Sequence, residues 1–290
     1  PKPRFVLCWW TPTRYKSGVM KLTEIAPTAI VDKTAQLGRD VLIGPGCVIG
    51  AGVVIGDGCR FQANGIVEPG VVMGRNNRIH AHCVLGDLPQ ILGCEKAETQ
   101  LLIGDDNVFR ENVTIHRGSL HGGGKTIIGN QNYFMVGSHL GHDCQVEDQV
   151  VVSNYTQISG HVKLERKVWL SAILGIHQFV TVGRFSYIAG LSGVTHDVPP
   201  FVRVAGSYPC EVRGLNLIGL QRAGFSPESI RALVDAYRRL YMDRQGKPLA
   251  AVVAEMLAQK DLDENVAYLL NSLQRSTQHR FNRYRESLRH

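Results

Sequence analysis

The most regular feature of this sequence is an aliphatic or aromatic residue that recurs at every sixth position over most of the chain. The series begins at Val31, and in many repeats a glycine directly follows the apolar residue. It is interrupted twice and then resumes the same spacing as far as Val194. The positions between these two are Leu37, Ile43, Ile49, Ile55, Phe61, Val67, Met73, Ile79, Leu85, Ile103, Phe109, Ile115, Ile128, Phe134, Leu140, Val146, Val152, Ile158, Leu164, Leu170, Ile176, Val182 and Ile188.

A period of six with one inward apolar residue per repeat predicts a parallel β-helix. Each hexapeptide supplies one short strand and one turn. Three hexapeptides close a triangular coil of about 18 residues, and successive coils stack at the strand spacing of about 4.8 Å. The period disfavours an alternating antiparallel sheet, which would show a period of two and hairpin turns.

The two interruptions of the period, at residues 87–100 and 121–125, predict loops, because a solenoid accommodates insertions only on its surface. The second interruption leads into the segment 122–126, Gly-Gly-Gly-Lys-Thr, which superficially resembles a phosphate-binding P-loop. That motif needs a glycine where Ser119 stands and a helix where the β repeat resumes. We therefore reject a P-loop here.

The repeat ends at two consecutive prolines, Pro199 and Pro200, which cannot donate hydrogen bonds to a strand ladder. From Ser226 the pattern becomes helical, with a serine N-cap, Pro227 at the first helical position and apolar residues at helical spacing from Ile230. Two further helices are predicted at about residues 250–259 and 264–276.

These patterns predict a mainly β architecture in two domains, with a β-helix over residues 21–208 and a C-terminal α-helical domain over residues 209–290. Residues 1–20 carry no repeat, and we interpret them as an N-terminal extension outside the fold. Its simplest origin is translation from upstream of Met20.

The amino-acid composition is consistent with this repeat and excludes several classes of protein. The 31 glycines suit the corners of a solenoid, and the low aromatic content of 7% suits a narrow aliphatic core. A hydrophobic fraction of 44% excludes a disordered chain, and the lack of a Gly-X-Y period excludes collagen. No apolar run approaches the roughly 20 residues of a membrane-spanning helix, so we expect no membrane insertion.

The net charge of +7 comes from 32 basic and 25 acidic residues that alternate along the chain without forming a basic block. This dispersed pattern does not favour nucleic acid and leaves smaller acidic partners open. The seven cysteines are scattered and include no Cys-x-x-Cys pair. They predict free thiols in a reducing cytoplasm and no thiolate zinc site.

Five of the eleven histidines are expected on one flank of the β-helix. His142 and His161 are 19 residues apart, and His161 and His177 are 16 apart, which is close to one coil in each case. His139 lies three residues before His142, and His116 enters from an earlier coil. Several imidazoles with pKa values of about 6.5 in one place favour general-base chemistry near neutral pH over purely structural roles.

Asp143 directly follows His142 and could fix the tautomer of its ring. No serine or cysteine nearby carries a nucleophile motif, which favours direct attack by a substrate hydroxyl or amine over a covalent intermediate. Three neutral imidazoles could also hold catalytic zinc. We find no matching ligand spacing, so we expect no metal.

Six segments of the chain resemble one enzyme family over residues 22–242, the UDP-N-acetylglucosamine O-acyltransferases that begin lipid A synthesis. The hexapeptide repeat is shared by many acyltransferases, whereas these segments are specific to that family. The segments are GDDNVFRENVTIHRG from Gly104, GSHLGHDC from Gly137, ISGHV from Ile158, GIHQF from Gly175, DVPPF from Asp197 and GLNLIGLQRAGFSPE from Gly214.

The resemblance implies a left-handed parallel β-helix, a helical C-terminal domain and a homotrimer with active sites between subunits. It implies transfer of a 3-hydroxyacyl chain from acyl carrier protein to the 3-hydroxyl of the UDP-sugar in the cytoplasm, without a cofactor. It assigns His142 as general base, Asp143 as the residue that orients it, and the backbone N–H of Gly160 as oxyanion donor. The implied substrate-binding positions are His116, His139, His161, His177, Gln178, Gly190, Asn216 and Arg222.

Gly190 matches the position that floors the acyl groove, where glycine leaves the groove deep. We therefore predict a long acyl chain, with Tyr187 nearby as a feature that limits the depth. The basic C-terminal end either meets the acidic carrier protein or is a solvated helix face. Its arginines are Arg280, Arg283, Arg285 and Arg289.

The chain departs from the family pattern at positions used for substrate binding. After Gln90, an acid and a base of the family are replaced by Ile91 and Gly93. In the C-terminal motif an acid is replaced by Ile218 and an arginine by Ala223. These changes leave two alternatives open, a different acceptor such as an amino sugar or another nucleotide sugar, and a non-catalytic paralogue. Retention of the whole histidine cluster argues against the second alternative.

Overall fold

The computed structural model describes residues 23–93, 98–279 and 282–288 of the chain. The N-terminal extension assigned to residues 1–20, together with Cys94, Arg280 and Arg289, lies outside the described residues. No helix among the described residues is both long enough and apolar enough to cross a membrane.

The described residues contain 28 strands, most of them two residues long, as expected for hexapeptide repeats. In chain order they are β1 (Glu24–Ile25), β2 (Ile30–Val31), β3 (Gln36–Leu37), β4 (Leu42–Ile43), β5 (Val48–Ile49), β6 (Val54–Ile55), β7 (Arg60–Phe61), β8 (Ile66–Val67), β9 (Val71–Met73), β10 (Arg78–Ile79), β11 (Val84–Asp87), β12 (Gln100–Ile103), β13 (Val108–Phe109), β14 (Thr114–His116), β15 (Lys125–Ile128), β16 (Tyr133–Phe134), β17 (His139–Leu140), β18 (Gln145–Val146), β19 (Val151–Val152), β20 (Gln157–Ile158), β21 (Lys163–Leu164), β22 (Trp169–Leu170), β23 (Gly175–Ile176), β24 (Thr181–Val182), β25 (Tyr187–Ile188), β26 (Gly193–Val194), β27 (Val202–Ala205) and β28 (Glu211–Leu215).

Every third strand pairs in parallel, so the strands form the three faces of a left-handed parallel β-helix, as predicted. Face A contains β1 and every third strand to β25, followed by β27 and β28; face B runs from β2 to β26, and face C from β3 to β24. Where a coil is uninterrupted, residues that pair between neighbouring coils are 18 positions apart in the sequence. Leu42, for example, lies opposite Arg60. The turns between the faces are called here the AB, BC and CA corners.

The axis of the β-helix is filled by the apolar residues of the six-residue period. Ile49 and Ile55 are each 1% exposed, and Phe109 stacks on Phe134 with ring centroids 5.3 Å apart. One ladder of buried asparagines, Asn77, Asn107 and Asn132, replaces apolar residues at the CA corner. Each asparagine side-chain oxygen accepts a backbone N–H from the next coil, which satisfies buried polar groups that would otherwise be costly.

The five described cysteines, Cys47, Cys59, Cys83, Cys144 and Cys210, are free thiols, as predicted for this part of the chain. Four of them lie at corners, where the Sγ atom donates to a carbonyl oxygen of the next coil. Burial raises the pKa of Cys144, the cysteine nearest the histidine cluster, to about 12. A thiol held in its neutral form is a poor nucleophile.

Both interruptions of the repeat are loops at the BC corner, one coil apart. The first connects β11 to β12, and its described residues include the exposed Leu92. The second connects β14 to β15 through a 3-10 turn at Leu120–Gly122. A strand, not a helix, begins at Lys125, which confirms the rejection of a P-loop.

The C-terminal part contains four α-helices, α1 (Leu217–Arg222), α2 (Pro227–Tyr237), α3 (Leu249–Leu257) and α4 (Glu264–Thr277). A π-helical turn at Arg238–Met242 extends α2, and a 3-10 turn at Tyr284–Leu288 follows α4. Ser226 caps α2 as predicted, since its side chain accepts the N–H of Ser229. The helices pack on one another and against the last coils, where Tyr268 Oη donates to Glu165 at 2.8 Å.

The antiparallel hairpin of β27 and β28 crosses the domain boundary that we expect at residue 208. Strand β28 therefore extends the sheet of face A, although it belongs to the segment assigned to the helical domain. The division into two domains at that residue stays a proposal.

Candidate active site

The candidate site is built on the BC corner of successive coils, where four-residue turns stack in register. The turns are residues 141–144, 159–162, 177–180 and 195–198, and the strands on either side of them pair in parallel. The register places Gly160 above His142 and His161 above Asp143. The spacing of 19 residues thus predicts the neighbouring coil correctly, while the extra residue shifts His161 by one position along the turn.

His142 and Asp143 form a short hydrogen bond between adjacent residues. The distance from His142 Nδ1 to Asp143 Oδ2 is 2.6 Å, and the side chains are 14% and 1% exposed. Asp143 adopts a left-handed backbone conformation with a φ of 60°, which is uncommon for residues other than glycine. This conformation belongs to the corner turn and allows the two consecutive side chains to meet.

Ser119 holds the carboxylate of Asp143 from the insertion loop. Its backbone N–H donates to Oδ1 at 2.8 Å and its hydroxyl donates to Oδ2 at 2.6 Å. The N–H of Asp143 donates to Thr126 Oγ1 at 2.8 Å. Burial alone would raise the pKa of Asp143, but the hydrogen bonds from His142 and Ser119 outweigh it and hold the pKa below its usual value. The carboxylate is therefore ionised at neutral pH.

Two glycines make the close packing of this pair possible. A Cβ atom on Gly122 would lie 2.0 to 2.3 Å from the carboxylate atoms of Asp143. A Cβ atom on Gly160 would lie 2.6 Å from Cε1 and 2.7 Å from Nε2 of His142. The face of the His142 ring at Cε1 and Nε2 therefore lies against Gly160. Within the described residues, the Gly160 N–H donates no hydrogen bond.

His161 extends the cluster onto the next coil. Its Nε2 atom is 3.7 Å from Asp143 Oδ2, and its ring packs edge-on against His142 with centroids 5.1 Å apart. Phe179, one coil further, stacks on the His161 ring with centroids 4.4 Å apart. His161 therefore contacts both the His142–Asp143 pair and the ring of Phe179.

His116 and His139 form a second pair beside the first, on face B. Their rings meet edge-on with centroids 5.0 Å apart, and the Nδ1 atom of His139 is 2.8 Å from Thr114 Oγ1. Burial lowers the pKa of His116, and burial lowers the pKa of His139 to about 4. Both rings are therefore neutral at neutral pH. The buried Nδ1 atom of His116 finds no hydrogen-bond partner among the described residues.

The structure brings the five predicted site residues described above close to Gly160. The other predicted site residues lie elsewhere on the chain. His177 and Gln178 lie on the same BC corner one coil beyond Gly160, and His177 Nδ1 contacts the Gln178 carbonyl at 3.0 Å. Gly190 is exposed at the AB corner, across face B. The Asn216 amide caps α1 by accepting the N–H of Gly219, and it donates to the carbonyl of Phe185 at the CA corner. Arg222 is exposed at the end of α1.

The same cluster offers three potential metal ligands, from His142, Asp143 and His161, whose ligand atoms lie within 4.8 Å of one another. The chemistry of the carboxylate fits an acid–base pair better. Both Asp143 oxygens already accept hydrogen bonds from Ser119, and Oδ2 also contacts His142 Nδ1. A metal would have to displace these partners.

Three contacts in the site are made by residues that sequence reasoning missed, Ser119, Thr114 and Phe179. Thr114 and Phe179 stand one coil from His139 and His161, so the coil spacing could have indicated them. Ser119 lies 24 residues before Asp143 because the insertion loop lengthens that coil. Ser119 could have been predicted from the position of this insertion, which interrupts the same corner one coil before His142.

Two family models match this chain. One is described as UDP N-acetylglucosamine O-acyltransferase, domain 2, and matches residues 197–281; the other is the bacterial transferase hexapeptide of six repeats and matches residues 34–67. An acyl-(acyl-carrier-protein)–UDP-N-acetylglucosamine O-acyltransferase from Halorhodospira halophila is 38% identical over 255 residues, which are 87% of this chain and 98% of that protein. The chain belongs to this family of UDP-N-acetylglucosamine O-acyltransferases.

Further members of the O-acyltransferase family support the same assignment. The enzyme of an Anaeromyxobacter species is 41% identical over 201 residues, 69% of this chain and 77% of that protein. The crystal structure of the O-acyltransferase from Moraxella catarrhalis superposes with a TM-score of 0.81 at 34% identity, covering 85% of this chain and 95% of that one. The structure from Bacteroides fragilis gives the same TM-score and identity over 86% and 96%.

Proposed function

We propose that this chain transfers a 3-hydroxyacyl group from acyl carrier protein to the 3-hydroxyl of UDP-N-acetylglucosamine, the first step of lipid A biosynthesis. Membership of the O-acyltransferase family supports the reaction, and the relatives carry donor and acceptor in their names. The observation that carries the proposal is the 2.6 Å contact between His142 and Asp143, with Gly160 against the face of the imidazole at Cε1 and Nε2. Because the described cysteines are free thiols, which suit a reducing compartment, we also propose a cytoplasmic location.

In this mechanism His142 is the general base. Asp143 is ionised and accepts the hydrogen on Nδ1, so the neutral ring keeps its lone pair on Nε2. Nε2 takes the proton of the sugar hydroxyl as its oxygen bonds to the thioester carbonyl carbon. The C–S bond then breaks, and the proton passes from Nε2 to the departing thiolate. Asp143 stabilises the imidazolium that exists between these two steps.

Gly160 is proposed to stabilise the tetrahedral intermediate through its backbone N–H. This group stands beside the His142 ring, where the attacked carbonyl must lie if Nε2 is to reach the acceptor hydroxyl. A preorganised donor at such a position can lower the barrier by about 3 kcal/mol. The absence of a side chain at Gly160 leaves space for the thioester.

The remaining cluster residues suit contacts with the substrates. The unpartnered Nδ1 atom of His116 and the neutral ring of His139 can bind hydroxyl or carbonyl groups of a ligand. His177 and Gln178 extend the same corner toward the C-terminal end of the β-helix. The acyl chain is proposed to follow face B, whose outward position on β23 is the exposed Gly175, where an added Cβ would meet no atom within 4 Å.

A homotrimer would reconcile the predicted substrate-binding residues with their places in a single chain. His142 lies at the BC corner, whereas Asn216 is bonded to a CA-corner carbonyl and Arg222 ends the same short helix. The side-chain hydrogen bonds of Asn216 lie at the CA corner and at the start of α1, whereas His142 lies at the BC corner. We propose that a second copy supplies its Asn216 and Arg222 to the site formed around His142 of the first.

The proposal is tested by assaying the purified protein with 3-hydroxyacyl-acyl carrier protein and UDP-N-acetylglucosamine. His142→Ala should lower kcat by about 10²-fold to 10⁴-fold, the usual contribution of a general base. Asp143→Asn, which is similar in shape but cannot fix the same tautomer, should lower kcat by at least about 10²-fold. His82→Ala, at an exposed AB-corner position, is the control and should retain activity. Undiminished transfer by His142→Ala would overturn the assigned role.

A different acceptor is the second candidate, favoured by exposed apolar residues where the family has charges. Ile218 is 63% exposed on α1, and Ile91 is 37% exposed on the loop between β11 and β12. Competition among UDP-sugars, including one with an amine at the acceptor carbon, separates the two candidates. Complementation of a strain that lacks the acyltransferase separates both from a non-catalytic paralogue.

A further inference from the structure

The last described segment, residues 282–288, folds back from α4 onto the β-helix. It lies beyond residue 281, where the match to the O-acyltransferase model stops. The segment binds the BC corner of the last coil through Asp197. The Asp197 N–H donates to the Asn282 carbonyl at 2.8 Å, and its carboxylate accepts the N–H of Tyr284 at 3.1 Å and that of Thr181 at 2.7 Å.

Arg283 fastens the segment in place. Its side chain is 10% exposed, pairs with Glu286 at 2.7 Å and donates to the Thr195 carbonyl at 2.8 Å. An arginine side chain is buried to this extent only where its charge and hydrogen bonds are satisfied. Chain ends usually fray unless they are tied down by such contacts. The described part of this end is therefore a docked element of the fold.

Arg285 connects this segment to the BC corner that contains His142 and His161. Its Nε atom donates to the main-chain carbonyl of His161 at 3.3 Å, and its Nη1 atom donates to Gln145 Oε1 on face C at 3.1 Å. The sequence predicts that Arg283 and Arg285 either meet the carrier protein or lie on a solvated helix face. The contacts within the chain are of neither kind. Both side chains are bound by the chain itself.

The residue that Arg285 holds is linked directly to the acid–base pair. The His161 N–H donates to the His142 carbonyl at 2.9 Å, and its ring lies between Asp143 and Phe179. His161 has a left-handed φ of 61°, as Asp143 and Phe179 do at the equivalent positions of the neighbouring coils. The carbonyl of His161 also accepts the hydrogen bond from Arg285, which comes from outside the coil.

We propose that Arg285 is a positioning residue, which acts through His161 to hold the His142–Asp143 pair in its reactive geometry. The segment 282–288 is the strap that brings this guanidinium to the site. The inference rests on the proposed function, since it concerns the geometry of the same acyl transfer. A small displacement of a catalytic group can lower a rate by one or two orders of magnitude.

The test compares three full-length variants. Arg285→Met removes both donors and the charge, Arg285→Lys keeps the charge, and Arg39→Met removes an arginine that pairs with Asp57 in the first coils. We expect Arg285→Met to lower kcat about tenfold with each KM within twofold of the wild-type value. The acid limb of the pH profile of kcat/KM should move to higher pH, because a positive charge near the imidazoles is lost.

Arg285→Lys should leave the acid limb in place and recover only part of kcat, since one ammonium cannot make both contacts. Arg39→Met should match the wild type in kcat and pH profile. If Arg285→Met loses thermal stability but keeps the wild-type kcat and pH profile, the strap is merely structural and the inference is wrong.

A readout without substrate separates this inference from the proposed function. The ¹⁵N resonances of the His142 and His161 rings should shift in Arg285→Met and stay unchanged in Arg39→Met. An inactive wild-type protein would overturn the proposed function while these spectra still test the positioning. Unchanged ring resonances in Arg285→Met would overturn the inference whatever the activity.

Discussion

Ser119 donates two hydrogen bonds to the carboxylate of Asp143, one from its backbone N–H and one from its hydroxyl. It does so from an insertion loop that interrupts the β-helix just below the catalytic corner. With His142 as the third partner, the carboxylate is satisfied and fixed in one orientation. The insertion therefore supports the buried charge of the proposed acid–base pair.

The first prediction removes only the hydroxyl from this support. Ser119→Ala should lower the free energy of unfolding by about 2 kcal/mol, because a buried carboxylate loses one charge-assisted hydrogen bond. The backbone N–H remains, so kcat should fall by about tenfold and not to zero. Ser138→Ala is the matched control, since Ser138 Oγ donates to the neutral carbonyl of Met135. Urea denaturation and steady-state kinetics measure both effects, and equal kcat values for the two variants would contradict the role of Ser119.

The second prediction concerns the glycine beside the catalytic ring. Gly160→Ala places a methyl group within 2.7 Å of Nε2 of His142, whose ring is held on the other side by Asp143. We expect kcat to fall by about 10²-fold, with little change in thermal stability because a partly exposed ring can move. Gly65→Ala, four coils away, adds a methyl whose nearest neighbours are at 3.7 Å. It should leave kcat unchanged, and wild-type activity in Gly160→Ala would exclude close contact at this position.

The third prediction concerns stability at acid pH. Burial lowers the pKa of His139 to about 4, whereas an unfolded histidine has a pKa of about 6.5. Between these values the unfolded chain binds more protons than the folded chain, so this contribution to stability is lost as the pH falls from about 6.5 to 4. His139→Gln removes the contribution.

Urea denaturation at several pH values checks this expectation. The free energy of unfolding of His139→Gln should fall less steeply between pH 7 and 4.5 than that of the wild type. His116→Gln should change the slope in the same direction, because burial also lowers the pKa of His116. Parallel curves for His139→Gln and the wild type would show that this ring does not titrate as described.

The β-helix could be predicted because successive hexapeptides bury an apolar side chain at the same position, which leaves a period visible in a single sequence. The nearness of His142 and His161 follows from the same period. The coil of 18 residues also sets the register, because it places Gly160 over His142 and His161 over Asp143.

Two supports of the site could not be predicted from the period. Ser119 is displaced from the regular count by the insertion in its coil. Arg285 reaches His161 from 124 residues away through a fold-back that leaves no periodic signal. Periodicity thus locates groups within the solenoid, whereas contacts from loops and chain ends depend on packing that no repeat encodes.

The fourth prediction concerns the length of the acyl chain. Gly190 is exposed at the AB corner, and an added Cβ would lie 3.0 Å from the Ala172 carbonyl oxygen. A long side chain there must therefore extend away from the backbone, into the space proposed for the end of the acyl chain. Gly190→Met should shift the preference from long to shorter 3-hydroxyacyl donors, with kcat/KM for the shorter donors retained.

Two controls distinguish a blocked groove from general damage. Tyr187 is held by the Ser171 hydroxyl, which donates to its Oη atom at 2.8 Å, and Tyr187→Phe should release the ring without adding volume. Its chain-length preference should therefore not shorten. Glu24→Met adds the same side chain at an exposed position in the first coil and should match the wild type. The methionine side chain would shorten any acyl groove that ended at this corner. An unchanged donor preference in Gly190→Met would therefore mean that the acyl chain does not end there.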